Sequence, residues 1–160
     1  MRWLGIDPGL AIIGWAVLED KGDTLPEILD FGTIETEKHL ATPHRLLEIE
    51  QDYVEILTEF EPEAIAIEMP FFSRQIKAAG GVLQGLGILN LVSVRERQII
   101  PIFLHQSSWK CHIGNAKADK KEVATMVQSI FNLESMPIDD SVDAIAIAYA
   151  ASCGLRNDIR

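Results

Sequence analysis

Apolar positions in the first 35 residues follow the short periods that are typical of β-strands. Residues 2–6 form an apolar stretch that breaks at Asp7-Pro8-Gly9, and a second apolar stretch follows at 11–18. This spacing predicts a β-hairpin with Asp7 at the end of its first strand. After a turn at 21–23, alternation over 26–35 predicts a third strand. The chain is therefore predicted to begin with three antiparallel strands.

The pattern then changes to a helical period. Apolar residues recur at helical spacing over 43–60, with Thr42 as the predicted N-cap. The short apolar run at 64–67 is typical of a buried, often parallel, strand, and it ends at Glu68. Residues 74–94 are rich in glycine and alanine, which predicts a helix that a second helix can approach closely, as across a dimer interface. A further buried strand is predicted at 99–104, with an edge or bulge at its start.

The last third of the chain is predicted to contain a loop and two helices. The loop covers 105–117, and the first helix covers 119–131. The final helix spans 139–153, and its period places Asp140 and Asp143 on the face that also carries apolar residues. Acidic residues also favour helix N-termini, and Asp139 has the position of an N-cap. That preference explains one or two of the acids, but not why two of them lie on the apolar face.

Composition places the chain among globular proteins. Its 160 residues are 48% hydrophobic and 24% charged, with a mean hydropathy of +0.12, which fits a single domain over 1–160. The two cysteines form no disulfide or zinc pattern, and no signal peptide or membrane span is predicted. We therefore expect a soluble, cytoplasmic protein. The net charge of −10 argues against a phosphate-binding surface.

Four carboxylates are predicted to meet at one edge of the sheet. The right-handed crossover rule places the strand that ends at Glu68 parallel to the first strand, so Glu68 and Asp7 reach the same edge. The final helix can deliver Asp140 and Asp143 to that edge. Like charges that converge require cations, and oxygen ligands without His or Cys favour Mg²⁺ or Mn²⁺. Two such ions about 4 Å apart can activate water for phosphodiester hydrolysis and stabilise the leaving oxygen.

Four segments of the chain, in order and at the right separations, resemble the RuvC family of Holliday junction resolvases. The resemblance covers nearly the whole chain. It implies an α/β protein of the RNase H-like fold, with a five-stranded mixed sheet flanked by helices, in which three antiparallel strands precede two parallel ones. The matching segments are Gly5-Ile6-Asp7-Pro8-Gly9 with Gly14, Ala66-Ile67-Glu68 with Phe71, Gly114-Asn115-Ala116-Lys117-Ala118-Asp119-Lys120, and Asp140-Ser141-Val142-Asp143-Ala144-Ile145-Ala146.

The resemblance implies a homodimeric endonuclease that makes paired nicks in four-way DNA junctions. The glycine-rich helix at 74–94 corresponds to a region near the family's dimer interface. A branch-migration helicase complex is the further partner that this family implies. The residues that fall on the family's catalytic, metal-binding positions are Asp7, Glu68, Asp140 and Asp143.

The same resemblance assigns contacts with DNA. Phe71 falls where the family places an aromatic ring against a base near the crossover, and exposed aromatic rings can stack on bases. Lys110 and Lys120 align with lysines that contact DNA. The acidic chain would then bind DNA through one basic strip, which also includes Arg74, Lys117 and Lys121.

Several residues depart from the family's pattern. Where the family usually carries a basic residue in a Gln-Ala-Arg-Gly segment, this chain has Leu86, so a polar contact is absent. Trp109 and the Cys111-His112 pair are not family signatures, and the loop before Gly114 is one residue shorter. Together with the net charge of −10, these departures concern the substrate and not the catalytic class.

Three other functions stay open at this point. Another RNase H-like nuclease would act on flaps, replication forks or structured RNA. An actin-like nucleotide-binding module would also begin with an Asp-Gly hairpin, but such proteins present a second one, and this chain contains one such motif. A catalytically silent DNA-binding protein would not need the intact acidic set.

Overall fold

The computed structural model describes residues 1–70 and 76–156, which form a five-stranded sheet and five helices. None of the helices in these ranges is long and apolar enough to cross a membrane. The strands are β1 (Arg2–Asp7), β2 (Ile12–Glu19), β3 (Glu27–Glu35), β4 (Ala64–Met69) and β5 (Ile102–His105). The helices are α1 (Thr42–Phe60), α2 (Ile76–Arg97), α3 (Gln106–Ile113), α4 (Lys120–Phe131) and α5 (Asp140–Ser152).

The sheet is mixed and has the strand order β3-β2-β1-β4-β5. β2 pairs antiparallel with both β1 and β3, and Asp7 lies opposite Gly14. β4 pairs parallel with β1, with Ile67 opposite Ile6, and β5 pairs parallel with β4. Because neighbouring parallel strands end at the same edge, Asp7 and Glu68 lie at one end of the two central strands. The predicted order of three antiparallel strands followed by two parallel ones is confirmed.

Helices cover both faces of the sheet. On one face, α1 and α2 pack together over a core that includes Leu4, Ile6 and Ile67. On the other face, α5 lies on β1 and β2, with α3 and α4 packed on its outer side. All residues from 141 to 148 are therefore buried, and the predicted final helix is confirmed as a core element. Its alternating alanines keep it thin enough to fit between the sheet and the outer helices.

Residues 106–113 form helix α3, although the sequence predicts a loop at 105–117, so this prediction was wrong. The segment is mostly polar, and its helical period is visible only in Trp109 and Ile113, which are buried one turn apart against α5. Tertiary contact therefore decides the conformation of a segment with little helical signal of its own. Gly114 ends the helix with a φ of 140°, a backbone conformation that glycine adopts without strain.

Element boundaries also differ from the prediction, and at two of them the difference concerns a residue with an assigned role. β5 begins at Ile102 and not at residue 99, because Pro101 has no N–H to donate to the sheet. Thr42 is the first residue of α1 rather than its N-cap, which is Ala41, and no side chain caps that end. Neither difference moves a residue at the carboxyl end of β1 or β4.

Candidate active site

Three acidic side chains meet where β1 ends against the first turn of α5. Asp7 is the last residue of β1, and Asp140 and Asp143 lie one turn apart at the start of α5. One carboxylate oxygen from each of these three residues lies within 4.8 Å of the other two. The structure therefore brings together three of the four acids that the sequence places at this edge.

Two glycines allow α5 to approach the sheet closely enough for this meeting. A Cβ atom at Gly14 would lie 2.0 Å from the carbonyl oxygen of Asp140, and one at Gly5 would lie 2.2 Å from that of Ala144. A side chain at either position would force α5 away from the sheet. The glycines on β1 and β2 thus set the distance between Asp7 and the acids of α5.

The N-terminus of α5 is capped by a different aspartate. Asp139 is the N-cap, and its Oδ1 accepts a hydrogen bond from the backbone N–H of Ser141 at 2.9 Å. The N-cap preference therefore accounts for Asp139 alone. Asp143 is buried and Asp140 half-buried, so both acids face the protein, as the helical period predicts.

Glu68 lies beside this group, with its carboxylate held by α3. It belongs to the end of β4 and is 9% exposed. Trp109 Nε1 donates a hydrogen bond to Glu68 Oε2 at 2.8 Å, and Gln106 Nε2 donates one to Oε1 at 3.3 Å. Glu68 is not one of the three acids that meet within 4.8 Å, yet its charge acts strongly on Asp7.

Burial and mutual repulsion raise the pKa values of the Asp7, Glu68 and Asp143 carboxyl groups. Burial is the main cause that raises the pKa of Asp7 from 3.8 to about 8, and the charges of Glu68, Asp143 and Asp140 add to it. Burial also raises the pKa of Glu68 to about 7, against the opposing effect of the Trp109 hydrogen bond. The pKa of Asp143 is raised by burial too. A site of this kind is unfavourable unless protons or cations neutralise it.

The ammonium group of Lys120 contacts both acids of α5. Its Nζ donates a hydrogen bond to Asp140 Oδ1 and lies 3.2 Å from Asp143 Oδ2. Burial lowers the pKa of Lys120, but the two carboxylates outweigh that effect and raise it. The side chain predicted to contact DNA thus pairs with the acidic cluster in this structure.

Lys110 also lies close enough to this site for its charge to act on Glu68 and Asp143. Its Nζ donates a hydrogen bond to the carbonyl oxygen of Ala118 at 2.7 Å and lies 5.5 Å from the centre of the Trp109 ring. Its charge lowers the pKa values of Glu68 and Asp143. Two lysines therefore border an otherwise acidic site.

Of the remaining predicted DNA-binding residues, the structure describes Lys117 and Lys121. Lys117 precedes α4 and Lys121 lies in its first turn, and both are exposed. α4 begins at a capping box formed by Asp119 and Glu122, which fixes the direction of this segment. Phe71 and Arg74 lie outside the described residues.

Sequence reasoning did not assign Trp109 or Gln106 to the site. Both lie on α3, which was predicted to be a loop, and their partner Glu68 is about 40 positions away in the chain. Trp109 itself could have indicated this contact, because a tryptophan in a polar segment is usually buried and its indole N–H then needs an acceptor.

The donor set of the site fits a hard divalent cation. Every acidic ligand offers oxygen, and neither His nor Cys belongs to the cluster that the described residues form. Oxygen-only sites suit Mg²⁺ and Mn²⁺ rather than zinc or copper. The acidic cluster can therefore bind a divalent metal ion.

The sheet order and the carboxylates at the ends of its central strands define an RNase H-like fold with an acidic, metal-binding site. The sequence model of the family described as "Crossover junction endodeoxyribonuclease RuvC" matches residues 3–151. The chain belongs to this family. The predicted fold and the predicted enzyme class, an endodeoxyribonuclease that hydrolyses phosphodiester bonds, are confirmed.

Relatives and solved structures agree with this assignment. A crossover junction endodeoxyribonuclease RuvC from Synechocystis sp. is 68% identical over 158 residues, which cover 99% of this chain and 95% of the relative. One from Alkaliphilus metalliredigens is 36% identical over 91% of this chain and 88% of its own. The Thermus thermophilus RuvC structure matches with a TM-score of 0.82 at 32% identity, over 98% of this chain and 99% of that one. T. thermophilus RuvC in complex with a Holliday junction substrate matches with the same TM-score at 30% identity, over 96% and 97%.

Proposed function

We propose that this protein resolves four-way DNA junctions by metal-dependent hydrolysis at the acidic site, with the chain of residues 1–160 acting as a single nuclease domain. The ligands of two Mg²⁺ or Mn²⁺ ions would be Asp7, Glu68, Asp140 and Asp143. The observation that carries the proposal is the meeting of three carboxylates, two half-buried and one buried, within 4.8 Å at the end of β1, where their charges repel. The Holliday junction bound by the T. thermophilus relative supports the choice of substrate.

Each element of the site has a defined task in this reaction. When bound, the ions supply an activated water molecule and stabilise the leaving oxygen. Asp7 projects from a strand end at the Pro8-Gly9 turn, where a Cβ atom on Gly9 would lie 2.1 Å from the carbonyl oxygen of Ile12, so glycine permits the tight turn that fixes Asp7. Asp140 and Asp143 are fixed because α5 belongs to the core. Lys120 neutralises these two acids in the structure, and its ammonium group would be available to a phosphate if the acids held metal ions instead.

Replacing one carboxylate tests the proposed chemistry. Asp7→Asn keeps the shape of the side chain but removes its charge, and we expect junction cleavage to fall at least about 100-fold, beyond the loss usual for a residue that only orients a ligand. Asp139→Asn is the matched control, since asparagine caps a helix as well as aspartate does. Cleavage measured under single-turnover conditions with Mg²⁺ should stay within about twofold for this control. Equal rates for Asp7→Asn and the unchanged protein would contradict the proposal.

The substrate is tested by offering several branched nucleic acids. A resolvase should cut a four-way junction with two symmetric nicks and leave flaps, replication forks and structured RNA largely intact. Mapping the cut sites on a mobile four-way junction identifies both the symmetry and any preference for sequence. Faster cutting of a flap or fork than of the junction would favour the alternative nuclease.

DNA would bind along a basic strip beside the acids. The strip is bordered by the exposed Lys117 and Lys121, with Lys110 and Lys120 at the site itself. In a chain with a net charge of −10, such a local concentration of lysines gives the phosphate backbone one favourable approach. Phe71 and Arg74 complete the proposed DNA-binding set.

A homodimer would supply the second nick. The outward side of α2 carries exposed Leu83, Leu91 and Val94, and a Cβ atom at Gly80 or Gly87 would meet nothing within 4 Å. A helix side that is apolar and narrow suits close packing against a second copy. Leu91→Glu should shift the mass measured by light scattering from dimer to monomer. Paired nicking should be lost with it, whereas an unchanged mass would contradict this interface.

The remaining partners follow from the proposed substrate. A branch-migration helicase complex would bring the junction to the nuclease, and co-purification with the host's junction helicase tests this partner. The expected location is the cytoplasm, where a bacterial chromosome lies. Fluorescent tagging of the protein in its host tests that location.

A further inference from the structure

The carboxylate of Glu68 is held by one strong hydrogen bond whose donor comes from the core. Trp109 Nε1 lies 2.8 Å from Glu68 Oε2, an ordinary distance for a good N–H···O bond. Trp109 is fully buried, so its indole ring cannot move without disturbing its neighbours. The donor is therefore fixed in place before any cation arrives.

The contacts of α3 keep this donor aimed at the site. α3 packs against α5, α4 and β5, and Trp109 and Ile113 form its buried side. One turn before Trp109, Gln106 reaches the other oxygen of the same carboxylate through a longer bond of 3.3 Å. The two donors leave further lone pairs on both oxygens, which can accept a cation.

A second buried tryptophan shows that the fold does not require such a bond. Trp3 is 5% exposed, and its Nε1 has no hydrogen-bond partner among the described residues. The structure thus contains one buried indole whose N–H has no partner among the described residues, although Arg156 lies 5.1 Å over its ring, and another whose N–H is bonded to an acid of the site. The difference assigns a role to Trp109 beyond filling the core.

We propose that Trp109 is a positioning residue that holds the Glu68 carboxylate in the orientation needed to bind the metal ion. This inference rests on the proposed function, in which Glu68 is a ligand. Partners that orient a ligand commonly change metal affinity or activity about 10- to 100-fold when they are lost. The proposal gives a physical role to Trp109, which is not a signature residue of the family.

The first test compares two substitutions of the same kind in the full-length protein. Trp109→Phe and Trp3→Phe each replace a buried indole with a smaller ring, but only Trp109→Phe removes a bond to Glu68. We expect Trp109→Phe to weaken Mn²⁺ binding, measured by electron paramagnetic resonance, about 10-fold or more. It should lower kcat for junction cleavage with KM unchanged. Trp3→Phe should change the Mn²⁺ affinity and kcat by no more than about twofold. Equal effects of the two substitutions would overturn the inference.

A double-mutant cycle separates this inference from the proposed function. Because Trp109 acts through Glu68, Trp109→Phe should have no further effect on Mn²⁺ affinity in a Glu68→Gln background. An additive effect would overturn the positioning role. If Glu68→Gln leaves Mn²⁺ affinity unchanged, Glu68 is not a ligand, and both the inference and that part of the proposed function fail. If Glu68→Gln weakens binding and Trp109→Phe does not, only the inference fails.

The unsubstituted protein provides a test that does not depend on a variant folding. Its three tryptophans, Trp3, Trp15 and Trp109, give three indole N–H signals in a ¹⁵N-correlated NMR spectrum. Titration with Mg²⁺ should shift the Trp109 signal, because its acceptor becomes a metal ligand, and should leave the Trp3 signal in place. An unmoved Trp109 signal at saturating Mg²⁺ would overturn the inference.

Discussion

Asp7 holds a proton at a pH at which most carboxyl groups are ionised, since its pKa is raised to about 8 in the metal-free protein. Glu68, with a pKa of about 7, shares this property. Both shifts arise because burial and neighbouring acids disfavour the charged form. The repulsion that allows these acids to bind a cation therefore destabilises the folded protein when no cation is bound.

The sign of this effect predicts how stability depends on pH. Between the ordinary pKa of 3.8 and the raised value of about 8, folded Asp7 binds more protons than unfolded Asp7, so stability falls as pH rises through this window. In metal-free protein, Asp7→Asn should remove this contribution and raise Tm at pH 8. A gain of about 1 kcal/mol corresponds to roughly 3 °C in a domain of this size.

Calorimetry in a chelating buffer from pH 4.5 to 8.5 measures this difference. The Tm of Asp7→Asn and of the unchanged protein should converge towards the acid end of the range. Asp139→Asn, which lies next to the site and keeps its cap, should follow the unchanged protein. Parallel curves for Asp7→Asn and the unchanged protein at every pH would contradict the raised pKa.

At the scale of elements, the position of α5 on the sheet determines whether the site exists. Gly14→Ala would place a Cβ atom 2.0 Å from the Asp140 carbonyl oxygen, so α5 must move. We expect a loss of about 1–3 kcal/mol in the free energy of unfolding, the usual cost of overpacking. Cleavage should fall further than this loss of stability explains, because Asp140 moves relative to Asp7.

A matched substitution on the neighbouring strand controls for this experiment. Thr33 lies opposite Gly14 on β3, and Thr33→Ala removes atoms without adding any towards α5. Urea unfolding and single-turnover cleavage of both variants separate loss of stability from loss of geometry. Normal cleavage by folded Gly14→Ala would show that the approach of α5 is not required.

The helices and strands differ in how well the sequence alone predicts them. Strand alternation, the crossover rule and the helical period predicted the three antiparallel strands and the parallel placement of β4 beside β1, and placed Asp7, Asp140 and Asp143 at one edge, because each depends on local pattern or chain direction. α3 was missed, since only Trp109 and Ile113 carry its period and its contacts with α5 decide its conformation. The Trp109–Glu68 bond joins residues 41 positions apart and depends on side-chain placement, which no local pattern contains.

For the whole molecule, a net charge of −10 must coexist with binding to a polyanion. The proposed basic strip predicts that binding to a four-way junction weakens steeply with salt. Lys117→Ala and Lys121→Ala should each lower the slope of log Kd against log salt concentration by about one, as expected for one phosphate contact. Fluorescence anisotropy with a labelled junction in Ca²⁺ measures these slopes without cleavage.

Lys21 provides the control for this measurement. It pairs with Glu27 near the far ends of β2 and β3, away from the acidic site. Lys21→Ala changes the net charge by the same amount but should leave the slope unchanged. If all three substitutions lowered the slope equally, total charge rather than a local strip would govern binding.

The burial of α5 on all sides determines whether the nuclease loses activity by local or by global unfolding. Because the helix that carries Asp140 and Asp143 is also the centre of the core, its amides should exchange with deuterium only when the whole protein unfolds. Native-state exchange at increasing denaturant should give those amides the full unfolding m-value, whereas exchange with a small m-value would reveal local opening. The nuclease is then either folded and complete or unfolded and inactive. Misfolded copies would therefore not act as loosely controlled nucleases in the cell.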